Sequence, residues 1–367
     1  MHNTLVNFCA ANLNNIRLFK CYYNILTEET GGCCKFALMK FRTLLLSAVA
    51  ACSLFQLTSC EKKEQPIVLP PKGEAQPGRV TMGEQYDNQV FYDFETNSVV
   101  QTSANASWDL SFEASKEGYH VWMNGGMSVF ILNTHSTDFA GTTALPAGTK
   151  TESWGYDDPG GLPDSTAVGK WKNIDGTSKN EVYIVKLNDN DFRKMTLVSV
   201  DDVKYTIKVA RLTEKDGQTL TLQKDDNYNF IYYSFATGVV KPEPPKKTWD
   251  VVFTRYRYIY RDLDNYLYYL NGVLLNPYNT VAAADSVGSF SDITTSTALA
   301  APKTTIRDVI GFDWKVYNFA TSRYEIVAKK NYIIQTRNGQ IYKFRFLDFY
   351  SPSGEKGSPS FESVRLQ

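Results

Sequence analysis

The 367 residues include 39 basic and 39 acidic side chains, so the formal net charge is zero. That balance argues against a nucleic-acid binder, which needs an excess of Lys and Arg to replace counterions. Hydrophobic content of 43% and charged content of 21% describe a globular chain, and 23 Tyr with 21 Phe lean it towards β structure.

Taken in order, residues 1–38 show no sustained periodicity and carry Cys9, Cys21, Cys33 and Cys34. They read as an upstream extension from a misassigned start, with Met39 the true start, or else as a genuine pre-sequence. Residues 39–59 read as a signal peptide: Lys40 and Arg42 precede an apolar run from Leu44 to Leu57. Its 14 residues are too few for a comfortable permanent span. Leu57-Thr58-Ser59-Cys60 resembles a bacterial lipobox, which implies cleavage before Cys60 and acylation of that residue. All six cysteines lie at or before Cys60, so the mature chain has no disulfide, thiolate nucleophile or Cys-bound metal. Residues 60–84, with Pro66, Pro70, Pro71 and Pro77, read as a charged, partly extended tether.

From Gln89 onwards the pattern is one of short alternating runs. Val90–Phe94 and Val99-Val100 read as a hairpin around Thr96-Asn97-Ser98, and Trp108–Phe112 as the next strand. Tyr119–Met123 and Met127–Asn133 flank Asn124-Gly125-Gly126 and read as a second hairpin. Val182–Leu187 and Phe192–Ser199 form a third. Its turn, Asn188-Asp189-Asn190-Asp191, lacks the glycine and terminal Glu of a calcium loop. Asp157, Asp158 and Asp164 sit in a Gly/Pro loop and read as solvated rather than as a calcium site.

The second half repeats the first. Phe94 and Trp108 recur at the same separation as Phe235 and Trp249. Trp108-Asp109-x-x-Phe112 recurs as Trp249-Asp250-x-x-Phe253, Asn124-Gly125 as Asn271-Gly272, Phe139 as Phe290 and Trp171-Lys172 as Trp314-Lys315. Tyr183 and Lys194 match Tyr332 and Lys343. These spacings predict an all-β chain of two tandem antiparallel β domains related by internal duplication, at 85–214 and 218–367.

At these motifs the chain resembles the HmuY family of haem-binding lipoproteins of Bacteroidetes-type bacteria. The residues are the Trp108–Phe112 strand, Asn124-Gly125-Gly126, and the C-terminal block from Asn331 to Phe346 ending in Pro359-Ser360-Phe361-Glu362. The resemblance implies two HmuY-like copies and outer-membrane attachment, at the cell surface. It also implies haem capture for delivery to a TonB-dependent receptor, and no enzymatic activity. Family members ligate haem iron through paired side chains, His in some and Met in others. Here only His120 and His135 remain after Cys60. Period two places His120 beside Trp122, a candidate haem wall. The alternative is two unrelated surface or satisfied-core imidazoles. Met123 and Met127 are weaker ligand candidates: as cross-strand neighbours they would lie too close to reach opposite porphyrin faces. In the second copy Tyr256, Tyr258 and Tyr260 share one strand face and Arg255 and Arg257 the other; Tyr can ligate ferric haem and Arg can pair with propionates, but the stretch reads first as a packed aromatic face with a solvated basic one.

Two other functions are compatible with these residues. One is a surface lipoprotein of the same fold without iron ligation, binding glycan or protein partners. The other is an enzyme, but no HExxH, G-x-S-x-G or P-loop is present and no carboxylate pair is singled out.

Overall fold

Twenty strands account for the architecture of the computed structural model, which describes residues 69–367. The upstream extension, signal peptide and Cys60 lie outside the described residues. The first strand, β1 (Ala75–Arg79), is followed by β2 (Asn88–Asp93), β3 (Ser98–Ala104), β4 (Leu110–Glu113), β5 (Val121–Met123) and β6 (Phe130–Asn133). Next come β7 (Val182–Asn188), β8 (Asp191–Val200), β9 (Lys204–Arg211), β10 (Gln218–Gln223), β11 (Phe230–Ser234) and β12 (Gly238–Val240). The rest are β13 (Val251–Tyr260), β14 (Tyr266–Leu275), β15 (Val281–Asp285), β16 (Lys315–Asn318), β17 (Arg323–Ile326), β18 (Asn331–Gln335), β19 (Ile341–Tyr350) and β20 (Lys356–Arg365). One short helix, α1 (Thr295–Ala300), interrupts them.

The duplication is visible in the pairing. One five-stranded sheet runs β10-β9-β8-β7-β6 and the other β1-β20-β19-β18-β15. One four-stranded sheet runs β12-β11-β4-β5 and the other β3-β2-β13-β14. Strand for strand, each order is the other's copy. A two-stranded β16–β17 ribbon completes the set.

The copies exchange their opening segments. The first hairpin, β2–β3, pairs with β13 of the second copy, while β11–β12 pairs with β4 of the first. The sheets therefore form two lobes that differ from the sequence repeats. Lobe 1 is continuous, from β4 to β12. Lobe 2 joins β1–β3 to β13–β20. The cores divide the same way. Leu110, Phe112, Trp171, Tyr205, Leu222 and Tyr233 belong to one, and Tyr92, Phe94, Phe253, Trp314, Phe344 and Phe361 to the other.

The Trp-Asp motif fastens each exchanged hairpin. The Phe235 amide donates to Asp109 Oδ2 at 2.7 Å, and the Phe94 amide donates to Asp250 Oδ2 at 3.0 Å. Trp108 meets Tyr232 edge-on and Trp249 meets Phe91 likewise, with ring centroids 4.9 Å apart in both pairs. Lys194 Nζ donates to the carbonyls of Phe139 and Thr142, and Lys343 Nζ to those of Phe290 and Ile293. One expected match shifts. Asn124 Nδ2 donates to the Trp108 carbonyl and Asn276 Nδ2 to that of Trp249, so the counterpart of Asn124 is Asn276 rather than Asn271. The longer β13–β14 hairpin displaces it along the chain.

Three local expectations change. Residues 75–79, read as tether, form the edge strand β1, where Pro77 is tolerated because edge positions need no donor on the solvent side. Asn124-Gly125-Gly126 is not a hairpin loop: β5 pairs back with β4, β6 pairs with β7, and Gly125–Met127 form a 3₁₀ turn between sheets. That turn lies on β13, and a Cβ at Gly126 would strike the Arg255 carbonyl oxygen. Nor is Arg257 solvated. It is buried, its guanidinium sits 4.2 Å from the Phe130 ring centroid, and Nη2 donates to the Val129 carbonyl at 2.7 Å. The turn at Asn188–Asp191 closes β7 onto β8 as expected.

Candidate functional site

His120 stands at the entrance to β5, opposite Glu113 at the end of β4. The register Phe112–Val121 makes Glu113 and His120 the next pair, and the Glu113 amide donates to the His120 carbonyl at 3.0 Å. This places His120 Nδ1 2.7 Å from Glu113 Oε2. Burial opposes ionisation of Glu113, but hydrogen bonds from His120 and Ser115 outweigh it and hold the carboxyl below its ordinary value. A carboxylate on Nδ1 fixes the ring orientation and leaves Nε2 as the basic nitrogen, as in imidazoles that bind metals. Tyr119 stacks on the imidazole at 4.1 Å, and Trp122 lies 5.9 Å away, tilted at 49°.

Beside this pair lies a cleft of about 330 Å³. Glu113, Trp122 and Phe230 line it from lobe 1, and Tyr278 and Arg307 from lobe 2. Trp122 and Phe230 meet edge to face at 5.2 Å. Arg307 is anchored by Nε to the Leu275 carbonyl at 3.0 Å, with its guanidinium 5.7 Å from the Phe230 ring. Lys246, also lining the cleft, pairs with Asp226 at 2.7 Å. His120 stands beside the cleft rather than on its lining, and the cleft itself offers two aromatic rings set edge to face and a half-buried guanidinium, groups whose chemistry fits haem. The imidazole suits the iron, the face of one aromatic ring suits a porphyrin edge, and the guanidinium suits a carboxylate.

The other candidates fall elsewhere. His135 follows β6 in left-handed backbone, with its side chain 78% exposed and Nδ1 3.2 Å from Glu181 Oε1. The two imidazoles sit on different sheets and share no partner. Met123 is a core residue of lobe 1, opposite Leu110, and Met127 packs partly buried against the same core. They are not cross-strand neighbours, because β5 and β6 are in different sheets. Asp157, read as solvated, is half-buried. It accepts from the amides of Met123 at 2.6 Å and Ala167 at 2.8 Å, and burial pushes its carboxyl up to about 6 against those bonds. Asp158 pairs with Arg261. Among the described residues there is no cluster of three or more His, Cys, Asp or Glu placed to hold a metal ion.

Glu113, Arg307 and Glu181 are the residues missed from sequence. Pairing Val121–Met123 back onto Leu110–Glu113 would have set Glu113 against His120. The forward hairpin suggested by the glycines hid that register.

Comparison with known proteins adds the family. A family model described as HmuY protein matches residues 85–161 and 226–362, more than half of the chain in two segments. No curated protein matches. Among solved structures, apo PinO from Porphyromonas gingivitis is similar at 11% identity with a TM-score of 0.23, covering 80% of this chain and 98% of its own. The apo HmuY analog of Tannerella forsythia is similar at 10% identity with a TM-score of 0.22, covering 81% and 100%. A Bacteroides vulgatus protein provisionally described as HmuY-like and heme binding shows 10% identity and a TM-score of 0.21, covering 82% and 98%. Likenesses this low identify no shared ligand. The match to the family model over both segments does establish kinship, and the chain belongs to the HmuY family.

Proposed function

We propose that this protein is a lipid-anchored haem-binding protein of the outer membrane, exposed at the cell surface. It captures haem and passes it to a TonB-dependent receptor. The observation that carries the reading is the His120–Glu113 pair beside the Trp122-walled cleft, in a chain of the HmuY family. Glu113 holds the His120 ring through Nδ1 and leaves Nε2 for the iron. Trp122 and Phe230 give the cleft apolar walls. Arg307 supplies a cation for a propionate. His135, with its own carboxylate Glu181, stands apart from this cleft and is not part of the proposed site. Bound haem would supply the iron that these residues hold.

Membrane attachment through Cys60 rests on the lipobox-like sequence. Among the described residues no helix is long and apolar enough to cross a membrane. Cys60→Ser should abolish metabolic labelling with palmitate and release the protein from the membrane fraction. Retained labelling would remove the anchor from this account. Haem binding is tested by titrating residues 61–367 and following the Soret band. A saturable shift that His120→Ala weakens at least about tenfold, the equivalent of 1.4 kcal/mol, supports the reading.

A further inference from the structure

Lobe 2 carries a second cleft, of about 460 Å³. Its walls are tyrosines: Tyr260 from β13, Tyr268 from β14, Tyr317 from β16, Tyr324 from β17, and Tyr86 from the turn before β2. Tyr268 and Tyr317 are 42% and 39% exposed. The floor holds Lys315, buried, whose ammonium donates to the Asn271 carbonyl at 3.0 Å and lies 4.2 Å from the Trp314 ring. Arg255 also lines the cleft. Neither cation has an ion-pair partner within 4.0 Å among the described residues, and no carboxylate lines the cleft.

The pseudo-symmetry acts as an internal control. The equivalent strands of lobe 1, β4 and β5, have four and three residues, whereas β13 and β14 have ten each. Lobe 1 thus builds the same sheet without the extra tyrosine-bearing length. The outer half of that hairpin, from Tyr258 to Tyr268, has no counterpart in β4 and β5.

We propose that this cleft binds an acidic oligosaccharide. Aromatic faces of a stepped wall receive the apolar faces of successive sugar rings. Burial raises the phenols of Tyr86, Tyr260 and Tyr324, so they remain protonated donors for sugar hydroxyls. Arg255 offers charge-assisted hydrogen bonds to a carboxylate or sulfate, and Lys315, on the floor, is a further donor. The wall is stepped. Tyr260 and Tyr268 are inclined at 57° and Tyr317 and Tyr324 at 69°, so the rings form steps rather than a parallel-sided slot.

The test titrates residues 61–367 calorimetrically with tetragalacturonate, with a heparin tetrasaccharide, and with neutral maltotetraose. At least one acidic probe should bind, and the neutral one at least about tenfold more weakly, a difference of 1.4 kcal/mol. Tyr268→Ala/Tyr317→Ala, at exposed positions, should lose about tenfold or more in affinity for the acidic probe while keeping the parent's far-ultraviolet circular dichroism and cooperative unfolding. Arg255→Gln should erase the preference for the acidic probe. Binding of neither acidic probe, equal binding of the neutral one, or an unaffected tyrosine variant would each overturn the proposal. So would loss of the haem Soret shift in the tyrosine variant, which would assign the cleft to haem instead.

Discussion

Glu243 shows how a single buried carboxyl sets a pH response at the junction of the lobes. It is buried, accepts a hydrogen bond from Asn229 Nδ2 at 2.5 Å, and faces Tyr232 and Arg307. Burial pushes its carboxyl up to about 7 from 4.5, with Asn229, Tyr232 and Arg307 opposing. The folded state therefore holds a proton that the unfolded state has released. This contribution is fully present below pH 4.5 and is lost as pH rises through 7. Glu243→Gln should be more stable than the parent by about 1–3 kcal/mol at pH 8 and no more stable at pH 4.5. Urea denaturation at both pH values checks this, and an equal effect at both would contradict it. Lys315 follows the opposite proton logic. Burial lowers its ammonium to about 7, so its folded state loses stability as pH falls from 10.5 towards 7. Lys315→Met should raise the melting temperature at pH 6 by more than at pH 10. Neither residue was readable from sequence. Alternation identifies a strand face, but tertiary packing decides how dry that face becomes.

At the scale of elements, the duplicated Trp-Asp motif has two grades of importance. Asp109 caps its hairpin with one short bond from the Phe235 amide. Asp250 caps its hairpin and also accepts from Arg337 Nη1 at 2.8 Å, and Arg337 in turn reaches Asp93 at 3.0 Å, all three groups buried. Removing Asp250 leaves a buried guanidinium with half its counter-charge, at a cost of about 3–5 kcal/mol. Asp109→Ala should cost about 1.5–3 kcal/mol, the range for one hydrogen bond to a charged group. Equal losses in equilibrium denaturation would refute this ranking. Gly126→Ala should cost about 1–3 kcal/mol, because the added methyl meets the backbone of β13 and not a movable side chain. The strands and repeat were legible because Phe, Trp and Asp recur at fixed spacings. The role of Gly125-Gly126 was not, since a glycine needed for a close long-range approach looks the same in sequence as a glycine needed for a turn.

For the molecule as a whole, the exchange of hairpins makes structural and sequence units differ. The sequence repeat breaks near Thr213–Gln218, yet Leu222, Ile231 and Tyr233 belong to the core of lobe 1. A fragment covering 105–246 contains every strand of that lobe, whereas 85–214 lacks β10–β12 and carries the orphaned β2–β3 hairpin. The first should unfold cooperatively in urea and the second should not; the reverse result would show that the exchange is not needed for the lobe to hold together. The repeat itself could be read from the chain. Which copy each hairpin joins could not, because residue spacing within a hairpin is the same whether it pairs with its own copy or the other. The haem site was half legible for a related reason: His120 and Trp122 stand out in sequence, but Glu113, which orients the imidazole, emerges only from the β4–β5 register. The most direct measurement is a Soret titration of residues 61–367 with haem beside His120→Ala, Glu113→Gln and His135→Ala. A saturable shift, weakened most by His120→Ala and detectably by Glu113→Gln, is the predicted result. No saturable shift, or one that His120→Ala leaves unchanged, would contradict the proposed function.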